Sequence, residues 1–328
     1  MITWRRVSLV GAIGLFVVQP PSGAQPGATI RRVGLLSLVP EAAGERVVAA
    51  FKQGMRDLGW LEGKNIEYRF ASADGDATRL DAAAADLIGQ EVDVIVAAGS
   101  VATRAAQRAT TTIPIVMASA SNAVGNGFVA SLAKPGGNIT GTSSQTEDVL
   151  RKLIEILHEV TPNARRFAFL LNESNQSHDA FWAVAQSACA ALDLVAIRVV
   201  ASAPAQLGTA VEQIVRQRSQ AVVVISDPLY FGERAKLQAL TQTASLPVAY
   251  GLREHVVAGG LLSYATDLAA TFRHTAKFVD KILKGAKPTD LPVEQPTTFE
   301  LVVNLKAAKA LGITVPQSVL VSADEVID

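Results

Sequence analysis

Hydrogen-bonding residues follow the apolar runs of the sequence in both halves of the chain. The candidates are Ser37, Gly99, Ser100, Ser121 and Asn122 in the first half and Asn172, Asp227 and Tyr250 in the second. These residue types donate and accept hydrogen bonds, but they do not make up a set of nucleophile, base and acid. The pattern therefore predicts a chain that binds a small polar solute and catalyses no reaction.

Gly99 and Ser100 are candidates for a carboxylate site. They follow the apolar run Val92 to Ala97 and precede the helical stretch Val101 to Ala109. This order places a hydroxyl group and free backbone N–H groups at a helix N-terminus, where anions bind. The alternative is an ordinary N-cap serine that serves only the helix.

Asp227 is the candidate partner for an ammonium group of the solute. It follows the apolar run Ala221 to Ile225, and a carboxylate forms a strong charge-assisted hydrogen bond with an ammonium group. The alternative is a turn aspartate in front of Pro228. Tyr250, at the end of another run, is a candidate to stack on the ligand and equally a candidate core residue.

The sequence indicates neither a metal nor a nucleotide cofactor. The histidines are scattered, and the single cysteine, Cys189, lies in a helical stretch of small residues, where free cysteine is usually a buried apolar residue. Gly125 to Ala130 matches the dinucleotide fingerprint in letters, but a loop separates it from the strand that ends near Ala118. The fingerprint requires a tight turn directly after the strand. We therefore expect no cofactor.

Short β-branched runs alternate with helical patterns along the chain, which is typical of βαβ units and a parallel sheet. The predicted strands are Arg32 to Leu36, Ile66 to Phe70, Val92 to Ala97, Ile115 to Ala118, Phe167 to Leu171, Val195 to Val200, Ala221 to Ile225 and Pro247 to Tyr250. The last four repeat the order of the first four about 130 residues later. We predict an α/β protein with two doubly wound, Rossmann-like parallel-sheet lobes joined by a hinge, with the ligand between the carboxyl ends of the strands.

Residues 1–24 have the pattern of a secretory signal peptide. Arg5 and Arg6 precede the apolar stretch Val7 to Val18, and Ser22 to Ala24 provides small residues for cleavage. No cysteine follows that would carry a lipid anchor. The 30 basic and 30 acidic residues leave a formal net charge of zero, which disfavours a nucleic-acid partner. We expect the mature protein in the periplasm.

Several segments resemble the tryptophan/tyrosine-type substrate-binding proteins of ABC transporters. The matching segments are Gly59 to Ile66, Val92 to Ala97, Ser131 to Gly141, Gly259 to Tyr264, Lys281 to Pro288, Leu291 to Pro296 and Ala310 to Ile313. They occur in the family's order over essentially the whole mature chain. The resemblance implies a type I periplasmic-binding-protein fold, whose two lobes are joined by three crossings and close on a ligand like a hinge.

The resemblance also implies where the lobes and the ligand contacts lie. The first lobe would consist of residues 25–142 plus 265–297, and the second of residues 143–264 plus 298–328. The implied crossings lie near Gly141 to Ser143, Ser263 to Tyr264 and Gln295 to Thr298, and the helix Phe272 to Leu283 returns to the first lobe. By position, Thr142 and Ser143 join the candidate ligand contacts.

The resulting expectation is an extracytoplasmic solute-binding component of an ABC importer. It would act as a monomer, take up an amino acid or an aromatic carboxylate, and deliver it to a permease in the inner membrane. One departure concerns the ligand's amino group: where the family commonly has Asp-Pro after the fourth strand, this chain has Ser121-Asn122. Two alternatives stay open, a ligand-sensing partner of a membrane receptor and, with less support, a nucleotide-dependent enzyme on a doubly wound sheet.

Overall fold

The computed structural model describes Met1 and residues 30–328. The predicted signal peptide, apart from Met1, therefore lies outside the described residues. The strands are β1 (Arg31–Ser37), β2 (Ile66–Ser72), β3 (Val94–Ala98), β4 (Ile115–Ser121), β5 (Ile139–Ser144), β6 (Arg166–Leu171), β7 (Val195–Val200), β8 (Ala221–Val224), β9 (Val248–Tyr250), β10 (Leu262–Ala265), β11 (Glu300–Asn304) and β12 (Glu325–Ile327). The helices are α1 (Glu45–Asp57), α2 (Leu80–Gly89), α3 (Gly99–Ala109), α4 (Thr146–Val160), α5 (Ser177–Ala191), α6 (Leu207–Arg216), α7 (Pro228–Gly232), α8 (Arg234–Thr243), α9 (Arg253–Val257), α10 (Leu268–Leu283), α11 (Leu305–Ala310) and α12 (Gln317–Ser322). Over this part of the chain, no helix combines the length and the apolar composition that crossing a membrane requires.

The first sheet contains five parallel strands in the order β2-β1-β3-β4-β5. Its strands form because β-branched and other apolar residues pack well on both faces of a covered parallel sheet. Val33 of β1 pairs with Val94 of β3, and Ile95 of β3 pairs with Ile115 of β4. All of these side chains are fully buried, so this register builds a continuous apolar layer at the centre of the sheet.

The second sheet repeats the strand order of the first. Strands β7-β6-β8-β9-β10 occupy the places of β2-β1-β3-β4-β5, and β11 and β12 extend the sheet beyond β10. Every pair is parallel except β10 with β11. The repeat predicted from the sequence is confirmed, and so is the α/β class with two doubly wound lobes.

All of the predicted strands lie within a few residues of their expected positions, and β5, β10, β11 and β12 are additional. β5 has the sequence ITGTSS, whose polar residues favour a loop when taken alone. In the structure it pairs with β4 along most of its length. The other additional strands contain three to five residues each, which is too short for a clear alternating pattern.

The chain passes between the two sheets three times within residues 30–328. It leaves the first sheet after β5 and enters α4, which packs on α5. It returns after β10 into α10, which packs along α1 and against β4, as expected for the helix predicted over Phe272 to Leu283. The last passage lies between Glu294, which is bridged to Thr142, and β11. The lobe boundaries that the resemblance implies stay a prediction.

Helix α1 covers the first sheet with one apolar face. Val47, Phe51 and Met55 recur at helical spacing and are buried, which is the pattern of an amphipathic helix. Burying a side chain such as Phe51 contributes about 2 kcal/mol relative to leaving it exposed. The same face forms part of the cleft described below.

Strand β4 carries a bulge close to the carboxyl edge of the first sheet. Its register with β5 shifts between Met117 and Ala120, and Ser119 has a φ of 61°. The Ser119 N–H donates to the Thr142 hydroxyl (2.9 Å), and that hydroxyl donates to the Met117 carbonyl (3.2 Å). Gly141 lies against the bulge with a φ of 123°. Bulges re-aim side chains beside functional sites, and this one directs the β4 end towards the cleft.

We expect Gly141→Ala to destabilise the protein strongly. A Cβ atom at this position would lie 2.3 Å from the Met117 carbonyl oxygen, so the substitution adds a backbone clash to an unfavourable φ. The expected loss in the free energy of unfolding is about 3 kcal/mol, measured by urea denaturation. Gly137→Ala is the matched control, because nothing lies within 4 Å of its Cβ position. Equal stability of the two variants would contradict this interpretation of the bulge.

Candidate functional site

The carboxyl ends of the strands in the two sheets face each other across a cleft. The cleft encloses about 90 Å³, which is room for several water molecules or a small solute. Its polar lining consists of Ser37, Gly99, Ser100, Ser119 and Ser121 from the first lobe and Asn175, Ser226 and Asp227 from the second. Five of the residues predicted from the sequence therefore lie at the cleft.

The rest of the cleft wall is apolar and rich in phenylalanine. Phe51 and Phe70 line it from the first lobe, Phe231 lines it from the second, and Phe272 lines it from helix α10. Each of these rings also fits the pattern of a core residue, so the sequence alone does not assign them to the cleft. A wall with aromatic side chains and a cluster of hydroxyl groups suits a solute with an apolar body and one polar end.

Helix α3 begins at the cleft without a side-chain cap. Its N-cap residue is Ala98, whose side chain accepts no hydrogen bond, and Gly99 turns the chain into the helix with a φ of 77°. The first N–H groups of a helix have no partner within the helix and carry a partial positive charge. The Ser100 hydroxyl accepts hydrogen bonds from the Ser121 N–H (2.9 Å) and the Ser177 hydroxyl (3.1 Å). Its own proton is left for another acceptor, so this end of the cleft favours an anion.

Asp227 lies in the wall of the cleft, but its carboxylate is engaged within the second lobe. Its side chain is fully buried. One carboxylate oxygen accepts hydrogen bonds from Asn172 Nδ2 (3.1 Å) and the Leu229 N–H (2.8 Å), and the other accepts one from Asn175 Nδ2 (2.8 Å). His178 Nε2 lies 3.2 Å from that second oxygen, although it is poorly aligned for a hydrogen bond. The carboxylate therefore caps helix α7 and joins two loops of the second lobe.

The partners of Asp227 keep its carboxyl group ionised. Burial alone raises the pKa of this group, but the interactions with His178, Asn175 and Asn172 together outweigh it and hold the pKa below its ordinary value. Nδ1 of His178 accepts the Asn172 N–H (2.9 Å), so the neutral imidazole carries its proton on Nε2, facing Asp227. The network is a closed unit within the second lobe.

We expect Asp227→Asn to lower the free energy of unfolding by about 3 kcal/mol, because an amide leaves donors of this buried network without a charged acceptor. Since the folded pKa is depressed, the stability that the carboxylate contributes is present above its ordinary pKa of 3.8 and is lost as the pH falls below it. Urea denaturation between pH 7 and pH 3 measures both effects. The control is Asp179→Asn, whose side chain is 81% exposed. An unchanged stability at pH 7 would contradict the structural role.

The structure places the other predicted ligand contacts outside the cleft. Tyr250 is fully buried, stacks on His255 and donates its hydroxyl to Gln238 (2.9 Å), so its ring belongs to the core. Thr142 uses its hydroxyl in the β4 bulge, and Asn172 belongs to the Asp227 network.

Two further candidates lie beside the hinge. Asn122 accepts a hydrogen bond from the Gly125 N–H (3.0 Å), and Ser143 accepts one from the Ala123 N–H (3.3 Å). Both residues line a separate polar pocket. Their side chains serve the turn after β4, which residue type and strand-end position alone did not reveal.

The two lobes touch around the rim of the cleft. Arg46 of α1 forms an ion pair with Glu254 of α9 (3.0 Å). On the same side, Gly232 of α7 lies against Val39, and a Cβ atom on this glycine would be 2.6 Å from Val39 Cγ1. The structure is therefore a closed arrangement of the lobes.

The segment that matches the dinucleotide fingerprint forms another contact between the lobes. Asn126 donates its side-chain amide to the Ser121 carbonyl (2.7 Å) and to the Ser177 hydroxyl (2.9 Å). Arg104 of α3 donates to the Asn126 carbonyl (2.5 Å) and to Gln176 (3.2 Å). The glycine-rich turn thus positions Asn126 against the second lobe.

The described residues give little support for a metal site or a reactive thiol. Residues 30–328 contain no group of three or more histidine, cysteine, aspartate or glutamate side chains placed to hold a metal ion. Cys189 is buried, and burial raises the pKa of its thiol to about 12, so the thiol stays protonated and unreactive.

Comparison with known proteins identifies similar chains. Residues 32–327 match the model of the family of ABC transporter substrate binding proteins. A tyrosine-binding protein of Clostridioides difficile (strain R20291) is 23% identical over 283 residues, which are 86% of this chain and 81% of that protein. A conserved domain protein from Vibrio cholerae superposes with a TM-score of 0.86 and 26% identity, covering 91% of this chain and 100% of that one. A domain from Streptococcus pneumonia in complex with L-Trp superposes with a TM-score of 0.84 and 25% identity over the same shares.

Proposed function

This chain belongs to the family of ABC transporter substrate binding proteins, and from that premise we propose that it captures a small carboxylate-bearing solute between its lobes. One observation carries the proposal: the uncapped N-terminus of α3 opens into a cleft whose remaining walls contain Phe51, Phe70, Phe231 and Phe272. A carboxylate satisfies the helix N-terminus, and the phenylalanine rings suit an aromatic-sized body. The tyrosine and L-Trp named for two similar proteins are solutes of this size.

We propose that the solute closes the lobes by touching both of them. The moving bodies would be residues 25–142 plus 265–297 and residues 143–264 plus 298–328. Because the polar lining comes from both lobes, the solute gains its full binding free energy only in the closed state and shifts the population towards it. Trapping a solute in this way requires no nucleophile, acid or base.

We further propose that the mature protein acts in the periplasm as a monomer and passes its solute to an inner-membrane ABC permease. Family membership supports this role, since a substrate-binding protein supplies a transporter. The export pattern of residues 1–24 agrees with it.

A thermal-shift screen of the mature protein tests the proposed function. The probes are L-tryptophan, L-tyrosine, phenylpyruvate and 3-phenylpropionate, with glucose as a solute without a carboxylate. A bound solute raises the melting temperature by mass action, and we expect at least one aromatic acid or amino acid to do so while glucose does not. If none of the four carboxylates shifts the melting temperature, the proposed solute class is wrong.

We expect Ser100→Ala to weaken binding of the solute found in that screen by about 1 to 3 kcal/mol. The substitution removes a buried hydroxyl donor at the α3 N-terminus and one of the hydrogen bonds that join Ser177 to the first lobe. Calorimetry measures the affinity, and thermal unfolding without solute confirms that the variant is folded. Ser187→Ala, at an exposed position of α5, is the control. Equal affinities of the two variants would remove Ser100 from the site.

We expect Gly232→Ala to weaken binding about tenfold or more without a matching loss of stability. Its methyl group would overlap Val39 across the lobe interface, and such overpacking disfavours the closed state alone. Gly208→Ala is the control, since its Cβ would meet nothing within 4 Å. Calorimetry measures the affinity of both variants. Unchanged affinity of Gly232→Ala would mean that the bound state differs from this closed arrangement.

A further inference from the structure

We propose that the solute is a carboxylic acid with an apolar, aromatic-sized body and no α-amino group. This inference narrows the proposed function and rests on it. It follows from the polar groups of the cleft, in which donors for a carboxylate are open and the carboxylate that would hold an ammonium group is already engaged.

The donor side of the cleft is built for an anion. Helix α3 has eleven residues and no side-chain cap, so the N–H groups of its first turn are oriented towards the cleft with the positive end of the helix dipole. Ser100 adds a hydroxyl proton at the same place. Among the described lining residues there is no lysine, arginine or histidine, which makes this helix end the most favourable position for a negative charge.

The cleft offers no free carboxylate to accept hydrogen bonds from a ligand ammonium group. Asp227 is the one ionisable residue among the described residues that line the cleft. A carboxylate offers about four lone-pair directions, and Asp227 receives three hydrogen bonds together with the His178 Nε2 contact at 3.2 Å. Because its side chain has no exposed surface, a ligand ammonium group could reach it only by displacing one of these donors.

The neutral acceptors of the lining are also largely engaged. Asn175 Oδ1 accepts the Ser177 N–H (3.2 Å), and Ser37 Oγ accepts the Val39 N–H (3.1 Å). An ammonium group carries three donors, and burying it without a charged partner costs several kcal/mol. An α-amino group is therefore disfavoured in this cleft.

Another buried carboxylate lies near the junction of the lobes but not at the cleft surface. Glu254 of α9 does not line the cleft, and one of its carboxylate oxygens forms an ion pair with Arg46 at 3.0 Å. By contrast, Ser119 and Ser226 line the cleft with hydroxyl groups, which donate to an uncharged oxygen as well as accept. A keto or hydroxyl oxygen at C2 of the acid fits these residues better than an ammonium group.

Matched pairs of solutes that differ only at C2 test the inference by calorimetry on the mature protein. L-phenylalanine is compared with phenylpyruvate and, separately, with 3-phenylpropionate. L-tryptophan is compared with indole-3-propionate. We expect each acid without an amino group to bind about tenfold or more tightly than its amino-acid counterpart, since the ammonium group must be desolvated without a partner. Equal or tighter binding of the amino acids overturns the inference and leaves the proposed function intact. If none of these solutes binds, the proposed solute class fails, and the inference fails with it.

A carboxylate added to the cleft provides a second, independent test. Ser119 has a φ of 61°, a conformation that aspartate and asparagine tolerate better than most residues. We expect Ser119→Asp to shift the preference towards the amino acid, whereas Ser119→Asn, which has the same shape without the charge, keeps the preference of the wild type. An Asp variant that retains the wild-type preference while binding either solute would show that charge at C2 does not govern selection, and would overturn the inference.

Discussion

Both sheets keep the strands of their repeated units parallel, and this arrangement decides where the polar groups around the cleft lie. Parallel strands send all of their carboxyl ends to one edge, and each following helix begins there. The two lobes meet edge to edge, so helix N-termini from both sides converge on one small space. Whether the free N–H groups at each helix N-terminus already have a protein acceptor then determines which ligand groups the cleft can bind.

The two lobes satisfy their helix ends in opposite ways. In the second lobe, Asp227 caps α7 and is itself surrounded by donors from Asn172, Asn175 and Leu229. In the first lobe, α3 starts after Ala98 and receives no side-chain cap. A protein can leave a helix end open where a ligand completes it. This difference supports the proposal that the negative charge of the solute lies against the first lobe and its apolar body among the phenylalanine rings.

The sequence predicts the fold better than the site. Apolar runs such as Phe167 to Leu171 identify strands because burial on both faces requires such residues locally, and the repeat follows from their order. Strand β5 is not predicted in this way, because its residues ITGTSS are largely polar and are held in the sheet by pairing with β4. The site depends on contacts between residues distant in sequence. Ser37, Gly99 and Ser100 follow strands and lie at the cleft. Tyr250 and Asp227 also follow strands, but their polar groups are engaged by neighbours distant in sequence, which no local pattern reveals.

A distance measurement across the mouth of the cleft shows directly whether the two lobes close on a solute. Spin labels at the exposed positions Thr78 and Ala205 would flank the point where Gly75 of the first lobe lies against Pro204 of the second. Double electron–electron resonance would then compare the free protein with the protein saturated by the aromatic acid that stabilises it most. We expect the solute to shift the distribution towards the short distance of the closed arrangement. A distribution that stays unchanged while calorimetry shows binding would contradict this expectation.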